Sequence, residues 1–151
     1  MGHLTDACPK PMLVVAGKPL LQHKIEALPS IVDEVVIVVG YHGHVVQKHF
    51  GGEFEGRRIL YVEQENPTGG TADALWKAKE ILHDDFLVMN GDNIYSREDM
   101  EALIAVDNWA AAVQEMDHIA TARTVVEDGL VRDIVENSGH AGEKGYANIG
   151  L

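Results

Sequence analysis

VVIVVGYHGHVVQKHF, residues 35–50, is the stretch whose reading decides the fold. Its first five residues, Val35 to Val39, are all β-branched. A run with no polar alternation predicts a strand buried on both faces, as in a parallel sheet. Gly40 and Tyr41 mark the carboxyl end of that strand. A short helix is predicted from His44 to Phe50, and Gly51-Gly52 breaks it.

Upstream, Leu20, Leu21, Ile25 and Leu28 fall on one helical face. Pro19 suits the first helical position, and Pro29 ends the helix. Before that helix Lys10 stands between Pro9 and Pro11. Pro11 disfavours the helical region for Lys10, which predicts an extended backbone displaying a long cationic side chain. An ammonium is a compact charge that suits phosphoryl oxygens. On spacing alone, a proline-rich turn with a solvated lysine is the preferred reading.

Downstream, residues 58–62 read as a second strand, 63–70 as a loop and 72–82 as a helix with Thr71 as N-cap. Ala72, Leu75, Ala78, Lys79 and Leu82 follow its period. Residues 86–89 predict another buried strand, ending at Asn90-Gly91-Asp92-Asn93. Ser96, with Asp99 three residues on, predicts a capped helix reaching about Val106. Residues 110–113 read as a strand. Residues 124–126 and 130–135 read as a hairpin about an Asp128-Gly129 turn. A glycine-containing loop, 138–145, leads into a last extended segment, 146–151. Strand–helix alternation with buried strands predicts an α/β fold, a mostly parallel sheet flanked by helices.

A chain of 151 residues, 46% hydrophobic, predicts a single domain, 1–151. No apolar run is long enough to span a bilayer, and the N-terminus carries no apolar signal region. The formal net charge of −12 argues against nucleic-acid and anionic-membrane partners. The one cysteine, Cys8, fits a reducing compartment, and a cytoplasmic location is expected. The eight histidines are scattered without zinc spacing.

Ligands of open α/β sheets bind at the carboxyl ends of the strands. Gln64, the Gly70-Thr71 loop and Asp92 all lie at such ends. Thr68-Gly69-Gly70-Thr71 lets a ligand approach the backbone, and it is equally a plain glycine turn. Neither the dinucleotide fingerprint nor the Walker A pattern is present. Asp92 suits a hard cation such as magnesium, and the common alternative is an Asx-type turn with Asp92 or Asn93 capping its own backbone. Glu136 and Asn148 read as polar residues flanking a loop. Trp76 and Trp109 are expected to be packing residues.

PKPMLVVAGKPLLQHKIEAL, residues 9–28, closely resembles the second signature of the sugar-1-phosphate nucleotidylyltransferases. The resemblance implies a Rossmann-like nucleotide-diphospho-sugar transferase fold. It places Lys10 beside a nucleoside triphosphate. QENPTGGTADAL, residues 64–75, resembles the base-reading loop of that family, which implies nucleotide contacts from Gln64, Gly70 and Thr71. One more residue separates the glutamine from Gly-Thr here than in common members. The family carries Gly-Asp where this chain has Gly91-Asp92, with the aspartate on Mg2+ and the glycine at the nucleotide. Its sugar-binding glutamate and asparagine correspond to Glu136 and Asn148. Glu136-Asn137-Ser138 stands for the usual Glu-Lys-Pro, so the sugar-phosphate lysine is absent, and a sugar-contacting glycine is replaced near Ala122.

The implied reaction is attack of a sugar-1-phosphate oxygen on the α-phosphorus of the triphosphate, releasing pyrophosphate, with Lys10 and Asp92 as the catalytic pair. The resemblance also implies a chain cut at both ends, lacking the first strand and the glycine-rich triphosphate loop that precede Met1 in relatives. An inactive fragment is therefore expected, from a parent expected to form homo-oligomers. The alternative is a non-catalytic nucleotide-sugar-binding or regulatory module of the same fold. Some relatives accept choline phosphate, and many carry a C-terminal β-helix.

Overall fold

The computed structural model describes residues 8–66, 68–107, 109–118, 123–135 and 144–151. They divide into two compact units, Met1–Phe86 with Asn90–Arg97, and Leu87–Met89 with Glu98–Leu151.

The first unit opens on a 3-10 turn, Lys10–Met12. The Met12 amide donates to the Pro9 carbonyl at 2.8 Å, and the Leu13 amide to that of Lys10 at 3.0 Å. The extended residue is therefore Pro9 (φ −64°, ψ 145°), not Lys10 as expected. A first turn tolerates proline because an amide there has no intrahelical partner, so Pro11 does not prevent it. Strands β1 (Val14–Val15) and β2 (Lys18–Pro19) form a two-residue hairpin. Ala16 (φ 50°) and Gly17 (φ 85°) turn it. Positive φ at both central residues matches the twist of a hairpin, and Ala16 adopts it against its own Cβ.

Helix α1 (Leu20–Ala27) has Pro19 at its N-cap, and its C-cap Leu28 immediately precedes Pro29. Its buried residues are Leu21, Lys24 and Ile25, joined by Leu28 beyond its end. The Arg57 guanidinium closes this end, with Nη2 donating to the Leu28 carbonyl at 2.9 Å and Nε to that of Val32 at 3.0 Å.

Strands β3 (Glu34–Val39), β4 (Glu53–Phe54) and β5 (Arg57–Glu63) make one sheet in the order β3-β5-β4. β3 and β5 pair in parallel from Glu34↔Arg58 to Val39↔Glu63, while β4 pairs antiparallel. Only Ile37 and Val39 of β3 are buried, because β3 is an edge strand among the described residues. Helix α2 (Gly43–Phe50) inserts Val46 and Phe50 into the core, with the Phe50 ring edge-on to Phe54 at 5.0 Å. Helix α3 (Gly70–Ala78) packs beside β3 and β5. It begins one residue before the expected cap, so Thr71 lies inside the helix. Past Ala78 it unwinds into turns, with Ile81 and Leu82 amides both on the Ala78 carbonyl.

The strand expected at 86–89 does not form. A strand exists only through a paired neighbour, and these residues have no ladder partner among the described residues.

The second unit carries helix α4 (Arg97–Ile104) from Glu98 onward, and strands β6 (Val113–Met116), β7 (Arg123–Glu127), β8 (Leu130–Val135) and β9 (Gly145–Asn148). Its sheet is antiparallel in the order β6-β9-β7-β8. The hairpin β7-β8 turns through Asp128 (φ 53°) and Gly129 (φ 75°), as the sequence predicts. The strand expected at 110–113 begins instead at Val113. Helices and sheets together make an α/β fold. The mostly parallel sheet is represented among the described residues by the single pair β3-β5, every other pairing being antiparallel.

Candidate functional site

Two turns far apart in the chain meet in the first unit. One is the 3-10 turn that carries Lys10. The other is Asn90-Gly91-Asp92-Asn93. A Cβ on Gly91 would stand 3.1 Å from Pro11 Cγ, so glycine lets the second turn close onto the first. Lys10 Nζ then lies 3.6 Å from Asp92 Oδ2, with the two side chains 49% and 45% exposed. An ion pair that wet contributes about 0–1 kcal/mol to folding. Its groups are therefore free to be exchanged for those of a ligand.

Behind the turn the Lys24 ammonium donates to the Asn90 carbonyl and sits 5.5 Å from the centre of the Tyr95 ring. Burial pulls Lys24 down to about 8, and the nearby Asp92 carboxylate opposes that shift. Burial also raises the Tyr95 hydroxyl, while hydrogen bonds from Asn93 and the Asn90 backbone lower it. Sequence reading missed Lys24. Its place three residues after Leu21 and four before Leu28 was the available signal.

Gln64 sits at the carboxyl end of β5, where its amide N–H donates to the Val39 carbonyl at 2.8 Å. Its side-chain amide donates to Asp73 Oδ2 at 2.8 Å and to the Gly70 carbonyl at 3.1 Å. Asp73, another residue the sequence reading missed, thus ties the glutamine to the first turn of α3. A Cβ on Gly69 would fall 2.4 Å from the Asp73 carboxylate, so the glycine makes room for this tie. Gly70 (φ 71°) needs the freedom of glycine at the helix start.

Asn148 lies in β9 of the second unit, exposed, with its side-chain oxygen accepting from the Gly150 amide at 2.7 Å. Glu136 and Ala122 lie outside the described residues. Trp76 and Trp109 are 65% and 95% exposed, so neither is the packing residue that was expected. The Lys79 ammonium lies over the Trp76 ring at 3.8 Å.

Among the described residues no three His, Cys, Asp or Glu side chains cluster as an ion cage. A lone half-exposed carboxylate still fits Mg2+. That ion keeps much of its water and takes its remaining ligands from one or two carboxylates and from phosphate oxygens.

Residues 2–128 match the family described as Nucleotidyl transferase. The Bifunctional protein GlmU of Methanococcus maripaludis is 36% identical over 76% of this chain and 26% of its own length. The CMP-5'-(3-aminopropyl)phosphonate synthase of Streptomyces rubellomurinus is 33% identical over 94% of this chain and 23% of its own. The UTP–glucose-1-phosphate uridylyltransferase AglF of Haloferax volcanii is 36% identical over 62% of this chain and 38% of its own. The chain thus spans about a quarter of the length of the curated relatives it matches first. In fold it is similar to HddC from Yersinia pseudotuberculosis, with a TM-score of 0.67, 22% identity, and 95% of this chain and 66% of that one covered. On these matches the chain belongs to the nucleotidyl transferase family.

Proposed function

We propose that the 151 residues are a single, partial nucleotidyltransferase domain of an enzyme that joins a nucleoside triphosphate to a sugar-1-phosphate. The observation that carries this reading is the 3.6 Å approach of Lys10 to Asp92 across two turns. Pro9 and Pro11, which flank Lys10, line one hollow with Val39 and Gly40 at the carboxyl end of β3, the end of a strand where such folds bind ligands. Lys10 sets a positive charge against the triphosphate. Asp92 holds Mg2+, which when bound offsets charge on the phosphates. Gln64, Gly70 and Thr71 face the base, Gly91 keeps the Asp92 turn close, and Glu136 and Asn148 serve the sugar. One oxygen–phosphorus bond forms at the α-phosphorus as the bond to pyrophosphate breaks in line. That chemistry asks the protein for alignment and charge rather than a nucleophile.

The name of AglF supports a sugar phosphate as acceptor, and that of the phosphonate synthase supports a phosphonate. We favour the sugar phosphate, on the resemblance of Glu136 and Asn148. The central parallel sheet, the cytoplasmic setting and a homo-oligomeric parent belong to the same reading.

Titration of the chain with a Mn2+–nucleoside triphosphate tests it. Binding weakened about tenfold or more by Lys10→Ala and by Asp92→Asn is expected, since each removes a charge-assisted contact. No binding by the wild type sinks the reading. A pyrophosphate-release assay with sugar-1-phosphates, phosphocholine and an aminoalkylphosphonate then ranks the acceptors on a longer form of the protein. The 151-residue chain alone is expected to release none, and turnover by it would show that the glycine-rich loop of relatives is dispensable.

A further inference from the structure

Among the described residues Lys24 is the one charged side chain that is buried, at 2% exposure. An ammonium in such a place is unfavourable unless something holds it, and an apolar side chain of the same shape would serve stability alone as well or better. What holds Lys24 is specific. Its Nζ donates to the Asn90 carbonyl, and the Tyr95 ring lies beside it. Tyr95 is itself buried and hydrogen-bonded to Asn93 and to the Asn90 backbone. These contacts grip both ends of the turn that presents Asp92, while Pro11 meets its middle at Gly91.

We propose that Lys24 is a positioning residue, which fixes the 90–95 turn from beneath so that Asp92 is held beside Lys10 for a metal-bearing triphosphate. The role given to Asp92 rests on the function proposed above; the grip on the turn does not. Lys24 touches no reacting group and acts only through the turn. Its charge matters because a neutral side chain of similar length makes neither the bond to the Asn90 carbonyl nor the cation–π contact.

Lys24→Met in the 151-residue chain tests this by two readouts. The first is amide hydrogen exchange, which reports local opening without any ligand. Exchange at 90–95 is expected to quicken at least about tenfold while that of α2 stays within about twofold, tenfold being the loss of a bond of ordinary strength. The second is affinity for a Mn2+–nucleoside triphosphate, expected to fall at least about fivefold at unchanged or higher thermal stability. If the variant does not fold, Lys24→Leu, which likewise carries no donor, is read in the same way. Unchanged exchange at 90–95, or equal quickening in α2, overturns the proposal by showing that the lysine is only part of the packing. Wild-type chain that binds no Mn2+–nucleotide, with faster exchange at 90–95 in the variant, supports the grip on the turn and removes the function. Tight binding by wild type and variant alike removes the role of Lys24 and leaves the function in place.

Discussion

The two helical flanks of the first unit differ sharply. On the α1 side, Ile25, Leu28 and Phe50 are almost fully buried, and Arg57 closes the carbonyls at the helix end. On the α3 side, Ala72, Leu75, Trp76, Lys79, Leu82 and Phe86 line an open apolar hollow of about 290 Å3, with Phe86 43% exposed. The sequences of the two helices are similarly amphipathic. What differs is the partner. The α1 stripe meets apolar side chains from the turn at Met12 and from the sheet, whereas much of the α3 stripe faces solvent among the described residues. Amphipathicity therefore predicts a helix, and the availability of a partner decides whether its face is covered.

That contrast is open to direct attack. Phe50→Ala should cost about 4 kcal/mol in urea unfolding of the chain, as expected for a buried aromatic in a tight core. A loss below about 1 kcal/mol would mean that the α1 side is no better packed than the other. Lys24 sharpens the same point, because the closed side contains a charge. Its folded value near 8 lies below the free lysine value of 10.5. Between those values the unfolded chain binds more protons, so stability rises with pH. The difference between pH 8 and 10.5 corresponds to about 3 kcal/mol. Unfolding free energies of wild type and Lys24→Met should therefore converge or cross as pH rises through this window, the wild type gaining.

A smaller effect is local. Ala16→Gly relieves a left-handed alanine at the hairpin and should raise stability by up to about 1 kcal/mol. A loss would show that the turn tolerates Ala16 without strain. On the open side, Trp76→Ala should change stability by less than about 0.5 kcal/mol, as for a surface position. A cost like that of Phe50→Ala would prove the α3 face covered in solution.

The parts of the fold legible in the sequence are those whose signal is local. β3 comes from its β-branched run, α1 from its apolar period between two prolines, α2 from the glycines after it, and the β7-β8 hairpin from Asp128-Gly129. The failures are places where a distant partner decides. Residues 86–89 have strand composition and no strand to pair with among the described residues. Lys10 reads as extended from Pro11 alone, but the bonds from the Met12 and Leu13 amides favour the 3-10 turn. Thr71 has the chemistry of a cap, yet Gly70 starts the helix earlier by taking a positive φ. Lys10 and Asp92 were identifiable through family motifs, and their proximity required the fold. Lys24 and Asp73, which anchor the Asn90 carbonyl and the Gln64 amide, lie inside the two family-like segments, but their roles depend on partners that neither segment's pattern names.

The pairing of Lys10 with Asp92 means that, in the absence of ligand, each charge already has a counter-ion. On the reading proposed above, a divalent ion arriving alone must displace the ammonium, and a polyphosphate arriving alone must displace the carboxylate. Arriving together, they separate the pair only once. Metal and nucleotide should therefore help each other onto the protein even without touching, by no more than the pair is worth, about 1 kcal/mol or roughly fivefold in affinity.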